Sequence, residues 1–380
     1  MEEMTSRERV ITAMRNGKPD RVPVAPDISN MVPARLTGRP FWDIYIDETP
    51  PLWRAYIDAV DRYGIDGWFI YGDMQFTYTG TTPERVVSRR EVDGRKVLTF
   101  AANRGGIPYT YEQTYYVADP PTRTRKAVAD LSKDWKLAKA FLSEPTGWDP
   151  TILEQQRKAL GEKGALGVSL GYPGLQFWPY VWLDGGIEKG VEWYYDRHDL
   201  IMEVRELHER QCLKEMEMVL DARPDFVLFG GSGTITLQSP SIARELCLPT
   251  LQKLTRMAKQ AGQTNMLHSC GKERVLVQMC VEETDLGCIN PLEVPPQGDC
   301  DLAEIKAACG SRIALMGNLH TTEVMLKGSP ETVREASRKA IQDAGAGGGF
   351  ILSTGDQCGR DTPDENILAM VEAAERWGRY

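Results

Sequence analysis

His268 and Cys270 stand two residues apart in Met266-Leu267-His268-Ser269-Cys270-Gly271. A further cysteine, Cys358, lies far downstream in Ser353-Thr354-Gly355-Asp356-Gln357-Cys358-Gly359. One imidazole and two thiolates suit zinc, a borderline-soft cation that favours four tetrahedral ligands. Glu293, in Asn290-Pro291-Leu292-Glu293, lies between them along the chain and is a candidate fourth ligand. With it the set is Cys2HisGlu; without it one position stays open for a substrate, as catalytic zinc requires. Set against this, a His-x-Cys triplet arises easily by chance, and cysteine is common in cores as a small apolar residue. Placement at the ends of strands is what would separate the two readings.

Other polar residues fall at the ends of apolar runs. Asp73 is one. Ser232, in Gly230-Gly231-Ser232-Gly233-Thr234, and Asn318 are expected to bind substrate, and His320 and Asp356 to take part in catalysis. His320 has the chemistry of a proton donor to a leaving oxygen. The glycines around Ser232 lack the Lys-Ser/Thr pair of a phosphate loop and read as a tight turn. Tyr172, Phe177, Trp178 and Tyr180, in the stretch Gly171 to Trp182, would suit a planar substrate by stacking, or else form core beneath a loop.

Short apolar, β-branched runs alternate with helical patterns, as in parallel βα units. Eight candidate strands result: Arg21–Ala25, Gly67–Tyr71, Leu166–Leu170, Asp225–Phe229, Asn265–His268, Gly287–Asn290, Arg312–Gly317 and Gly349–Ser353. Their number and spacing predict an α/β fold, a (β/α)8 TIM barrel, in which the carboxyl ends of the strands carry the site. His268 closes the fifth run and Cys358 follows the eighth, so both are expected at that mouth. Pro240–Ala261 reads as one long helix and Pro330–Asp343 as another. Residues 73–150 break the rhythm. Val86–Val92, Lys96–Phe100 and Tyr109–Val117 are strand-like, with Asp93-Gly94 as a hairpin turn, so an antiparallel excursion is expected after the second strand, inside a single domain spanning 1–380.

Composition narrows the class. Lys+Arg 45 against Asp+Glu 54 leaves a net charge of -9, which argues against nucleic acid or an anionic membrane as partner. No apolar run approaches the ~20 residues that span a bilayer, and the charged opening has no signal-peptide core, so a cytoplasmic protein is expected. The 8 cysteines are scattered from Cys212 to Cys358, a pattern of metal binding or catalysis rather than of a disulfide framework.

The order His268-x-Cys270, then Cys358 in a Gly-rich strand end, resembles the zinc-dependent corrinoid methyltransferases of the uroporphyrinogen decarboxylase superfamily. The opening Arg7-Glu8-Arg9-Val10 through Lys18–Val24, the segment Arg312–Asn318 and the closing Asp361–Ile367 fit the same pattern. The resemblance implies zinc held by His268, Cys270 and Cys358, and a corrinoid (cobalamin) that accepts or gives the methyl group. Glu293 is similar in position to a zinc ligand of the cobalamin-independent methionine synthases. Asp196-Arg197-His198 begins a corrinoid-binding D-x-H-x-x-G motif, but Ile201 replaces its glycine, so the corrinoid is expected on a separate protein.

The leading expectation is therefore O-demethylation, with a small O-methyl donor such as a methoxylated aromatic giving its methyl to Co(I) of a corrinoid-binding protein. Transfer from methylcobalamin to a thiol such as coenzyme M, or to a pterin, is the nearest alternative. A decarboxylase-like activity meets the objection that the loop Pro26 to Pro33 carries no arginine to grip porphyrinogen carboxylates. A non-catalytic barrel with structural zinc also stays open, and a homodimer is compatible with the sequence.

Overall fold

Short apolar runs bounded by glycine, proline or charged residues each make one parallel strand, and the connections between them are mostly helical. The computed structural model describes residues 3–178 and 182–380. In chain order the strands are β1 (Gly67–Gly72), β2 (Phe76–Thr77), β3 (Arg85–Val92), β4 (Arg95–Arg104), β5 (Ile107–Tyr115), β6 (Thr122–Arg125), β7 (Gly147–Trp148), β8 (Gly164–Leu170), β9 (Phe226–Gly230), β10 (Thr264–His268), β11 (Cys288–Asn290), β12 (Ala314–Leu319) and β13 (Phe350–Thr354). A 7-stranded sheet runs β1-β8-β9-β10-β11-β12-β13, and every neighbouring pair in it is parallel.

The expected strand Arg21–Ala25 shrinks to a bridge. Pro23 and Pro26 have no N–H, Val22 gives its own to Gly378 and Val24 gives its own to the Asp66 carboxylate. What remains still joins the edges of the sheet. Ala25 N–H donates to Leu352 O, Leu352 N–H to Pro23 O, and Asp66 N–H to Val24 O. The barrel therefore closes through three residues rather than a full strand. Pro240–Ala261 is also shorter than expected. It splits at Cys247 into Pro240–Leu246 and Leu248–Gln260, where Pro249 removes one backbone donor.

Inside the barrel, Trp68, Ala165, Phe226, Leu228, Met266, Cys288, Ala314, Met316 and Ile351 pack with Val10, Ala13 and Met14 of helix Ser6–Met14. Gly167 belongs to this packing because a Cβ there would overlap the Phe226 ring. At the same end a buried Asp66 accepts from Arg9 at 2.6 Å and Arg21 at 2.8 Å, and Arg9 also holds Asp20. That end is a structural clamp, opposite the face where barrel sites form.

The excursion after β1 forms two antiparallel sheets, β2 with β7 and β3-β4-β5-β6. Asp93 (φ 51°) and Gly94 (φ 70°) make the two-residue turn between β3 and β4, and Gly105-Gly106 turns β4 into β5. The loop after β5 reaches the mouth, where Phe41 N–H and Arg360 Nη1 donate to Val117 O and Ala118 O. Tyr78, just past β2, ties the excursion to helix His198–Ala222 by donating to Glu215 at 2.8 Å, with the Arg104 guanidinium 3.4 Å from the centre of the Tyr78 ring. Burial pushes the Glu215 carboxyl up to about 7, against the lowering effect of Tyr78 and Arg104.

Candidate metal centre at the barrel mouth

β10 ends on His268, whose ring lies 6.4 Å, centre to centre, from Trp68 in the barrel interior. Its Nε2 is 3.1 Å from Cys270 Sγ. Asp356, on the loop after β13, completes a group whose ligand atoms all lie within 4.8 Å of one another. Ser232, after β9, places its Oγ 3.4 Å from the same sulfur. Three strand ends thus supply the cluster.

Local geometry explains why the chain turns as it does here. Gly271 has φ +95°, and a Cβ on it would overlap Thr236 Oγ1, so only glycine fits. Its N–H donates to the Glu293 carboxylate, which stands beside the cluster. Leu292 N–H in turn donates to Glu273 at 2.6 Å. Across the mouth, Thr354 Oγ1 accepts from Asp27 N–H and donates to Asp356 O, which fixes the Asp356 loop to the loop at Asp27.

The electrostatics are those of a site rich in acids and poor in cations. Burial, then Asp356, pushes the Cys270 thiol well above its ordinary value, against Ser232. Burial raises the Glu293 carboxyl, reinforced by Asp356. Burial also raises Asp27, which His268 opposes and Asp356 reinforces, and Glu273, which Glu293 reinforces. Burial and crowding of this kind shift these acids toward their protonated forms. A divalent ion reverses that balance, because its charge favours thiolate and carboxylate.

The expected site residues separate into two sets. His268, Cys270, Asp356 and Ser232 come together, and Glu293 adjoins them. Cys358 does not join. It is fully buried in the outer core, its N–H bonded to Asp27 O at 2.7 Å, with Thr354 and Thr362 beside its sulfur and burial holding its thiol at about 12. Asp356 stands where Cys358 was expected. Tyr172 is buried and bonded through its hydroxyl to Thr234 at 2.6 Å. Trp178 is buried with its indole N–H on His208 Nδ1 at 2.9 Å. Both are loop core. Phe177, half-buried, packs edge-on against Tyr172, and Tyr180 lies outside the described residues. Asn318 is buried and donates to Leu292 O. His320 Nδ1 accepts from Thr322 and Glu323 N–H, capping the short helical turn Thr321–Leu326 rather than facing the cluster. Asp196 and His198 sit on adjoining surface helices, with His198 Nε2 3.0 Å from Glu245.

Sequence reasoning gave no role to Asp27, Glu273 or Asn290. Asp27 had one usable signal, its place just after the strand-like run at Arg21–Ala25.

Residues 180–377 match the uroporphyrinogen decarboxylase (URO-D) family model. The chain belongs to this family. Among curated relatives it is 30% identical over 161 residues to Methylcobamide:CoM methyltransferase MtbA of Methanosarcina mazei, covering 40% of this chain and 43% of that protein. It is 23% identical over 192 residues to Methylcobamide:CoM methyltransferase MtaA of Methanosarcina barkeri, covering 50% and 53%. It is 31% identical over 77 residues to Uroporphyrinogen decarboxylase of Coxiella burnetii, covering 20% and 21%. The chain thus spans about half the length, or less, of these relatives. A solved methyltransferase from Methanosarcina mazei has the same fold, with a TM-score of 0.65 at 15% identity over 98% of this chain and 99% of that one. Among the described residues, no helix is long and apolar enough to cross a membrane.

Proposed function

We propose that this URO-D family barrel is a zinc-dependent methyltransferase, and that it moves a methyl group between a small molecule and a corrinoid on a separate protein. The convergence of His268 Nε2, Cys270 Sγ and an Asp356 carboxylate oxygen within 4.8 Å carries the reading. One neutral and two anionic donors balance the charge of Zn2+, and three protein ligands leave a coordination position for substrate. Bound zinc would supply Lewis-acid activation of an ether oxygen or of a thiol.

The chain's own groups do the rest. Cys270 and Asp356 provide the compensating charge, and Ser232 Oγ orients the Cys270 sulfur. Gly271 N–H keeps Glu293 at the edge of the cluster, within reach as a further donor. Burial favours the protonated form of Asp27, whose proton would serve a leaving alkoxide or phenolate oxygen at the mouth. This favours an O-methyl donor giving its methyl to Co(I). The names of the Methanosarcina relatives favour a second reading, transfer from a methylated corrinoid to a thiol. The excursion at 73–150, whose β5 loop touches the mouth, is proposed to cap the site.

Purified protein with zinc, incubated with cob(I)alamin and a methoxybenzoate, is expected to form methylcobalamin, followed by its visible spectrum. Methylcobalamin with coenzyme M tests the thiol direction through the reverse spectral change. Failure of zinc-loaded protein in both directions, across a panel of methyl ethers and thiols, would refute the assignment.

A further inference from the structure

Three buried polar atoms beside the metal cluster have no hydrogen-bond partner: His268 Nδ1 and both side-chain atoms of Asn290, Oδ1 and Nδ2. Asn290 is fully buried, and an unpaired buried amide or imidazole N–H costs about 1–3 kcal/mol. The two residues are register partners, since β10 and β11 are parallel with His268 opposite Asn290. Register partners on adjacent strands lie about 4.8 Å apart and point to the same face of the sheet. On the other side of His268 the partner is Gly230, which has no side chain. Asp27, across the mouth, already accepts from Ser29 N–H at 3.0 Å.

Resting on the metal site proposed above, we propose that Asn290 is the positioning residue of the metal-binding histidine, its Oδ1 accepting the Nδ1 proton of His268 when Nε2 is bound to zinc. Metal on Nε2 forces the single ring proton onto Nδ1, and that donor then needs an acceptor. Such partners fix the tautomer and ring orientation, and their loss weakens metal binding by roughly 10–100-fold. One hydrogen bond would satisfy two of the three orphaned atoms.

The test uses zinc alone, titrated against a chromophoric chelator in the whole chain. Asn290→Leu, similar in size and without an acceptor, should bind zinc 10–100-fold more weakly with an unchanged melting temperature. Asn290→Asp, which restores an acceptor, should recover the wild-type affinity to within about 3-fold, a rescue no purely structural role predicts. Should the leucine variant not fold, Asn290→Ala, which only removes atoms, is read in its place. Equal zinc affinity in wild type and Asn290→Leu overturns this inference alone. Equal loss in the Leu and Asp variants also overturns it. Wild-type protein that binds no zinc overturns the metal site and this inference together.

Discussion

Replacing Glu215 by glutamine should stabilise the protein at alkaline pH and leave it unchanged in mild acid. The Glu215 carboxyl is held at about 7 against an ordinary 4.5, chiefly by burial. A folded value above the unfolded one means that the native state binds the extra proton. The ionised form is therefore penalised, and stability falls as pH rises from 4.5 to 7 and then levels off. A difference of 2.5 pH units (7 − 4.5) at 1.36 kcal/mol each sets an upper bound of about 3 kcal/mol at pH 8. Glutamine keeps an oxygen to accept from Tyr78 and removes the charge. Urea unfolding at pH 8 should show Glu215→Gln more stable by about 1–3 kcal/mol, and at pH 4.5 the two proteins should agree within about 0.5 kcal/mol. Glutamine less stable than wild type at pH 8 would be the opposite outcome. It would mean that the charge on Glu215, facing Arg104, is worth more than its burial costs.

Gly167→Ala should cost at least about 1–3 kcal/mol, because the new methyl overlaps the fully buried Phe226 ring, and Gly167→Ala with Phe226→Leu should recover part of the loss in urea melts. Burial lowers His208 to about 4 from 6.5, so the unfolded state binds the extra proton and stability should fall as pH drops from 6.5 to 4. A His208→Gln variant should show a flatter unfolding profile across that window, and an identical slope in both proteins would count against a neutral His208 beneath Trp178.

Barrel strands were legible because each is a continuous apolar run, and burial of both faces in a parallel sheet selects for such runs. Prolines decided both departures: Pro23 and Pro26 at the closing bridge, Pro249 in the helix expected at Pro240–Ala261. The Asp-Gly turn at Asp93 was legible for a local reason, since both of its residues take positive φ. His268 and Cys270 could be found because a strand end fixes the direction of a nearby side chain. Asp356 and Cys358 could not be told apart that way. They lie two residues apart in a loop whose path is set by Thr354 and Asp27, over 300 residues away in sequence. For Tyr172 and Trp178 the sequence left stacking and core both open, and they lie in core because their loop folds back onto Thr234 and His208, which its own sequence does not announce.

Zinc content and affinity of Asp356→Ala set beside Cys358→Ala test the ligand assignment directly. Asp356→Ala should lose tight zinc while Cys358→Ala, folded to the same degree, keeps one zinc per chain. Zinc retained by the Asp356 variant and lost by the Cys358 variant would instead make Cys358 the third ligand.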